Sequence, residues 1–147
     1  MKKILVCIMA VCMLCACGQK ERTTVCKGTV SGIEVVNTIK YSGEKANSII
    51  HENTIEVEQG AIEYVKEYMD GYKDVVTKIS GVTYEYTVEG TKVVEKMTID
   101  YTTANLSSLI DLGLIYVGEG EEEPQFVSYQ LTIDSMTNSG LTCTEQE

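Results

Sequence analysis

Histidine, tryptophan, phenylalanine and proline are nearly missing from this chain, which has one His, no Trp, one Phe and one Pro in 147 residues. The single histidine, His51, excludes any metal centre built on two imidazoles. Basic residues are scarce, 12 Lys and Arg against 22 Asp and Glu, for a formal charge of −10. Phosphate contacts need clustered Lys and Arg, so nucleic acid is not an expected partner. Serine-based hydrolysis lacks both a nucleophile elbow and a base. A glycosidase needs two carboxylates converging in a cleft, and sequence spacing nominates no such pair. There is no repeat and no low-complexity segment.

What the chain does have is a distinctive start. Lys2 and Lys3 precede the apolar run Ile4 to Ala16, which is too short to span a hydrocarbon core of ~30 Å. The run ends in Leu14-Cys15-Ala16-Cys17, the pattern of a lipobox, with the small Ala16 just before the cysteine to be acylated. Cys15 fails as the acceptor, because Leu14 would then occupy the small-residue position. The alternative is a plain secretory signal that leaves Cys17 an ordinary thiol. The lipobox reading divides the chain into a signal peptide at 1–16, a lipid anchor and short tether at 17–22 carrying diacylglycerol and palmitate on Cys17, and one domain at 23–147. It places that domain on the extracytoplasmic face of a cell membrane, with a Gram-positive-type envelope favoured. The tether reaches at most about 20 Å at ~3.3 to 3.6 Å per residue. Loss of Lys2 and Lys3 takes the formal charge from −10 to −12, and the 131 residues left form one domain, too few for a two-lobed clamshell.

Six cysteines resemble a disulfide framework until processing is counted. Cys7, Cys12 and Cys15 leave with the leader and Cys17 is acylated. Cys26 and Cys143 remain, at opposite ends of the domain on the oxidising side of a membrane, as a candidate bridge. Two free thiols are the alternative.

From Thr23 the pattern is that of strands. Thr23 to Val30, Ile33 to Tyr41 and Lys45 to Glu58 are separated by Ser31-Gly32 and Ser42-Gly43-Glu44, as in an antiparallel meander. Ile33, Val35, Ile39 and Tyr41 share one parity; so do Ile49, Ile55 and Val57, which leaves His51 and Asn53 on a nominally apolar face. A bulge or an edge position would account for those two. After Gly60, the apolar positions Ile62, Val65, Met69, Tyr72, Val76 and Ile79 recur at steps of three and four, which predicts a long amphipathic helix. Gly71 inside it implies a kink, a close approach or a break. A hairpin follows, with Val82, Tyr84, Tyr86 and Val88 on one strand and Val93, Met97, Ile99 and Tyr101 on the other. Thr103 to Leu112 reads as a short helix, and Pro124 suits the first turn of a last helix over Gln125 to Asn138. Leu141 to Thr144 returns as an extended tail able to carry Cys143 to the first strand. The expected fold is therefore α+β, an antiparallel sheet of an N-terminal three-strand meander and a later hairpin, packed by one long amphipathic helix and a C-terminal helix.

The order of features resembles the YehR-like family of small bacterial lipoproteins, a family of unassigned activity. The resemblance lies in the lipobox at Cys17, Tyr41-Ser42-Gly43-Glu44-Lys45, Ile79-Ser80-Gly81-Val82-Thr83-Tyr84, Thr98-Ile99-Asp100-Tyr101 and Ser139-Gly140-Leu141. These are packing and turn residues, so the resemblance implies a compact α+β domain and no particular chemistry.

Tyr64, Tyr68 and Tyr72 lie on one helical stripe and form a candidate contact face, since amphipathic tyrosines at a core rim suit a peptide, glycan or lipid. Their alternative role is to roof the sheet edge. Glu119, Glu121, Glu122 and Glu123 could gather a hard cation, but they lack the EF-hand spacing and read as a solvated loop. Asp100 reads as a cap before Thr102 and Thr103. No catalytic residue, metal ligand or cofactor is nominated. The functional expectation is a non-enzymatic, membrane-anchored envelope module that meets membrane lipid through Cys17 and an envelope protein or small ligand through its tyrosine face or the adjacent sheet edge. The alternatives are a hydrolase or cation-dependent enzyme acting on envelope material and a structural envelope protein.

Overall fold

A computed structural model describes residues 19–118 and 124–147. The lipobox Leu14-Cys15-Ala16-Cys17 and four of the acidic-loop glutamates, Glu119 and Glu121 to Glu123, lie outside the described residues.

Six strands form one antiparallel sheet: β1 Arg22–Val30, β2 Ile33–Ser42, β3 Lys45–Glu56, β4 Val82–Glu89, β5 Lys92–Asp100 and β6 Thr142–Gln146. Their spatial order is β4-β5-β3-β2-β1-β6. The meander and the later hairpin are both present, joined by β3 lying against β5. The first turn is tight because Ser31 and Gly32 both sit at positive φ, 52° and 83°, as a two-residue type I′ hairpin requires. The C-terminal tail extends the sheet as β6, with Cys143 directly opposite Cys26 in register and bonded to it.

One face of the sheet is apolar and covered by helices, as the two-layer logic of an antiparallel α+β domain demands. Helix α1, Ile62–Val76, follows a short 3₁₀ turn at Gln59–Ala61 and buries Ile62, Met69 and Val76. Each such side chain contributes about 1.5–3 kcal/mol on burial. Met69 and Val76 join Ile39, Ile49, Val93 and Ile99 of the sheet, Leu109 of α2 (Leu106–Asp111) and Met136 of α3 (Tyr129–Asn138) in a single core. The other face stays half open and carries pairs such as Lys96–Glu52 at 3.6 Å.

Two expectations change. Gly71 produces neither a break nor a close approach, because α1 runs through it and a Cβ there would meet nothing within 4 Å. The last helix starts at Tyr129 rather than Gln125. Before it, Val127 O accepts from Ala46 N and Tyr129 N donates to Glu44 O, both at 2.9 Å, so residues 127–128 lie against the start of β3. Ser128 then caps the helix, its Oγ accepting from Leu131 N at 3.3 Å.

Gly71→Ala is expected to raise stability by about 1 kcal/mol, since an exposed helical position gains propensity without a clash. Gly81→Ala should lower it by about 1–3 kcal/mol, because Gly81 has φ of +78° and a Cβ there would lie 2.9 Å from Asp100 O. Urea unfolding of the two variants checks the opposite signs. The Cys26→Ser, Cys143→Ser pair should cost about 2–4 kcal/mol in the same assay, because the bridge closes a loop with a sequence separation of 117.

Candidate functional site

Register aligns one residue from every strand in a single row across the covered face. Cys143 opposes Cys26, Cys26 opposes Asn37, Asn37 opposes His51, His51 opposes Met97, and Met97 opposes Tyr84. The neighbouring row brings Asn53 opposite Glu95 and Glu95 opposite Tyr86. Apolar rows flank this polar pair of rows, with Ile39, Ile49, Ile99 and Val82 on one side and Ile55, Val93 and Val88 on the other.

His51 and Asn53 therefore occupy neither an edge nor a bulge. β3 lies between β2 and β5, and its irregularity falls opposite Lys40 and Tyr41, earlier in the strand. Both side chains face inward, and polar groups there need partners because an unmatched buried donor or acceptor costs roughly 1–3 kcal/mol. His51 Nδ1 lies 2.7 Å from Asn37 Oδ1, while Asn37 Nδ2 donates to Met136 Sδ at 3.6 Å. With Asn37 using its amide N–H groups elsewhere, Oδ1 is the acceptor, which assigns the imidazole proton to Nδ1 and leaves Nε2 with a lone pair. Burial pushes the His51 pKa down to about 4, so the ring is neutral at pH 7.

Glu95 is held from both sides. Asn53 Nδ2 donates to Oε1 at 2.6 Å and the Tyr84 hydroxyl donates to Oε2 at 2.7 Å. Tyr84 OH also lies 2.7 Å from Met69 Sδ, but it has one proton and the carboxylate is the stronger acceptor. Burial, the bond to Glu95 and the Glu95 charge all raise the Tyr84 pKa; burial first and then the Glu95 charge raise that of Tyr72. Both phenols stay protonated at neutral pH. Tyr72 meets Tyr84 edge to face, with centroids 5.2 Å apart and planes at 78°.

These residues floor and wall a cavity of about 410 Å³, within the size range of small-ligand sites. His51, Asn53, Glu95 and Met97 line it from the sheet, and Tyr68, Met69 and Tyr72 of α1 line it together with Tyr84, which touches both Met69 and Tyr72. Gly113, Leu114 and Tyr116, just past α2, close the rim. Helix α1 is fastened there from β4, where Tyr86 OH donates to Asp70 Oδ1 at 2.9 Å.

The tyrosine stripe splits between two environments. Tyr72 is half-buried in the cavity, Tyr68 is 62% exposed at its rim, and Tyr64, 73% exposed, does not line it. Asp100 is a local cap rather than a base. Its Oδ1 accepts from Thr102 Oγ1 at 2.6 Å and Thr102 N at 2.9 Å, and the Thr102 hydroxyl holds the carboxyl below its usual range. Glu95, Asn37 and Tyr116 were not nominated from sequence. Glu95 carried a readable signal, since it shares the parity of Val93, Met97 and Ile99. Among the described residues, no three His, Cys, Asp or Glu side chains gather as metal ligands, and no helix is long and apolar enough to cross a membrane.

A family model described as "Protein of unknown function (DUF1307)" matches residues 22–142. The solution NMR structure of the E. coli YehR protein superposes with a TM-score of 0.70 at 21% identity, covering 88% of this chain and 95% of that one. An NMR structure of a protein from Streptococcus pneumoniae TIGR4 gives a TM-score of 0.56 at 16% identity, covering 99% and 96%. At these identities the likeness is one of fold. No curated protein matches the chain. The resemblance to the YehR-like family read from turn and packing residues is thus met by the family match and by the architecture.

The depressed His51 pKa predicts a specific acid sensitivity. An unfolded His titrates near 6.5 and the folded one near 4, so below pH 6.5 the unfolded state binds the extra proton. Stability present above pH 6.5 is lost as pH falls through 4, by up to about 3 kcal/mol. Unfolding midpoints measured from pH 7 to 4 should fall more steeply for the unaltered protein than for His51→Leu.

Proposed function

The chain belongs to the DUF1307 family of proteins of unknown function, and on that premise we propose that it is a non-enzymatic, lipid-anchored binding module of the cell envelope. The observation that carries the binding role is the cavity under α1, whose floor fixes a carboxylate and a neutral imidazole and whose walls are tyrosine and methionine. Such a mix of apolar lining and a few placed polar groups is the general make-up of a small-ligand site. Glu95 is the carboxylate among the described lining residues, a composition that suits recognition better than two-carboxylate hydrolysis.

The anchoring half of the proposal rests on Leu14-Cys15-Ala16-Cys17 and the charged, apolar leader before it. The segment that follows supports a short tether. Glu21 Oε2 accepts from Asn47 Nδ2 at 3.0 Å, so the chain is already fastened to the sheet one residue before β1 begins at Arg22. An acylated Cys17 would therefore hold the domain close to the membrane surface, within reach of an envelope protein or of a small molecule released there. Arg22 is engaged with Glu145 at 3.3 Å and Lys40 with Glu21 at 3.8 Å, exposed pairs of the kind that contribute little to stability.

Two measurements test the two halves. Metabolic labelling with a palmitate analogue should mark the full chain in a membrane fraction. Cys17→Ala should abolish the label and release the protein; retention of label by that variant would reject Cys17 as the anchor. For binding, small molecules co-purifying with the native domain are released and compared by mass spectrometry with those from Tyr72→Ala. A species carried by the first and lost from the second is expected, and identical profiles would count against the cavity.

A further inference from the structure

We propose that the cavity under α1 takes a small protonated primary amine, its ammonium group seated on Glu95 and its carbon chain lying against Tyr68, Tyr72 and Met69. The inference deepens the binding reading above and depends on it. Its basis is the acceptor capacity left on the cavity floor, at the Glu95 oxygens and at His51 Nε2, which outweighs the one further N–H that Asn53 can donate. Glu95 receives one hydrogen bond on each oxygen, from Asn53 and Tyr84, and a carboxylate offers about four lone-pair sites, so capacity remains on both oxygens. His51 directs its Nδ1 proton at Asn37 and keeps the Nε2 lone pair. Among the described residues, the ion pairs join other carboxylates, and no Lys, Arg or His lies within 4.0 Å of Glu95. The adjacent Lys96 projects to the opposite face, where it meets Glu52.

Other ligand classes fit this floor poorly. An anion would confront the Glu95 charge, and an apolar molecule would use none of the acceptor capacity that remains on the carboxylate and on His51 Nε2. A hard divalent cation seeks six or more oxygens, whereas this floor supplies one carboxylate among the described residues. An ammonium matches every element at once. Its N–H groups meet the acceptors, its charge meets the carboxylate, and its positive field meets the nearly perpendicular faces of Tyr72 and Tyr84. The formal charge of −10 favours the approach of a cation from a distance.

The test uses three probes of similar shape and different charge: 2-phenylethylammonium, 2-phenylethanol and 3-phenylpropionate. Each is titrated into the purified mature chain while the methyl signals of Met69 and Met97 are followed by NMR. The ammonium should shift both signals and bind at least ten-fold more tightly than the alcohol or the carboxylate. Glu95→Gln, checked for an unchanged fold by the dispersion of its spectrum, should lose that preference while still binding the alcohol. If the alcohol or the carboxylate binds as tightly as the ammonium, the cation assignment is overturned and the cavity stands as a binding site of another class. Should none of the three shift either methyl, both the amine proposal and the small-ligand reading fall.

Discussion

Strand register is the constraint on which the rest of this molecule depends, because side chains alternate between faces and a slip of one residue would turn every inward group outward. With β3 paired to β2 and β5 as it is, Ile49 and Ile55 enter the core and carry His51 and Asn53 in with them. The disulfide lies in the same row as His51, so the bond between Cys26 and Cys143 ties β6 to the register that builds the cavity floor. The floor thus inherits its geometry from rigid paired strands rather than from loops.

Placing polar groups under a helix is costly unless each finds a partner, and here the partners form a short chain. Asn37 holds His51, Asn53 and Tyr84 hold Glu95, and no described buried side-chain nitrogen or oxygen is left without a hydrogen bond. An apolar residue at Glu95 would fill the space more cheaply, as Val93 and Ile99 do on the same strand. Keeping a carboxylate there, with neutral donors and a neutral imidazole around it, gives the cavity floor one formal charge among the described residues. Helix α1 contributes the opposite wall, where burial raises the pKa of the Tyr72 phenol and keeps its π-face neutral.

Much of this architecture was legible from residue patterns. Glycine-marked turns delimited the strands of the meander and the hairpin, and the three-and-four spacing located α1 from Ile62, although the helix ends at Val76 and Ile79 packs from the turn that follows. The errors arose where long-range contacts overrode a local signal. Pro124 pointed to a helix start, but pairing of Val127 and Tyr129 with the beginning of β3 kept that stretch extended until Ser128. Gly71 does not interrupt α1, which runs through it from Ile62 to Val76. His51, Asn53 and Glu95 depart from the apolar pattern of their strands, and a polar residue of core parity can be an irregularity or a site, which one strand alone does not distinguish.

Local chemistry is enough to define the acidic character, the sheet-and-helix class and the Cys26 and Cys143 pair as a candidate bridge, and to propose a leader that ends in a lipobox. These depend on composition and on periods of two or three to four residues, which act over a few neighbours. Tertiary structure alone decided that His51, Glu95 and Tyr84, spread over three strands, share one floor with Tyr72 above it. Their meeting requires strand pairing between segments more than thirty residues apart, and pairing across such distances is set by the cooperative burial of the whole face rather than by any residue near them in the chain.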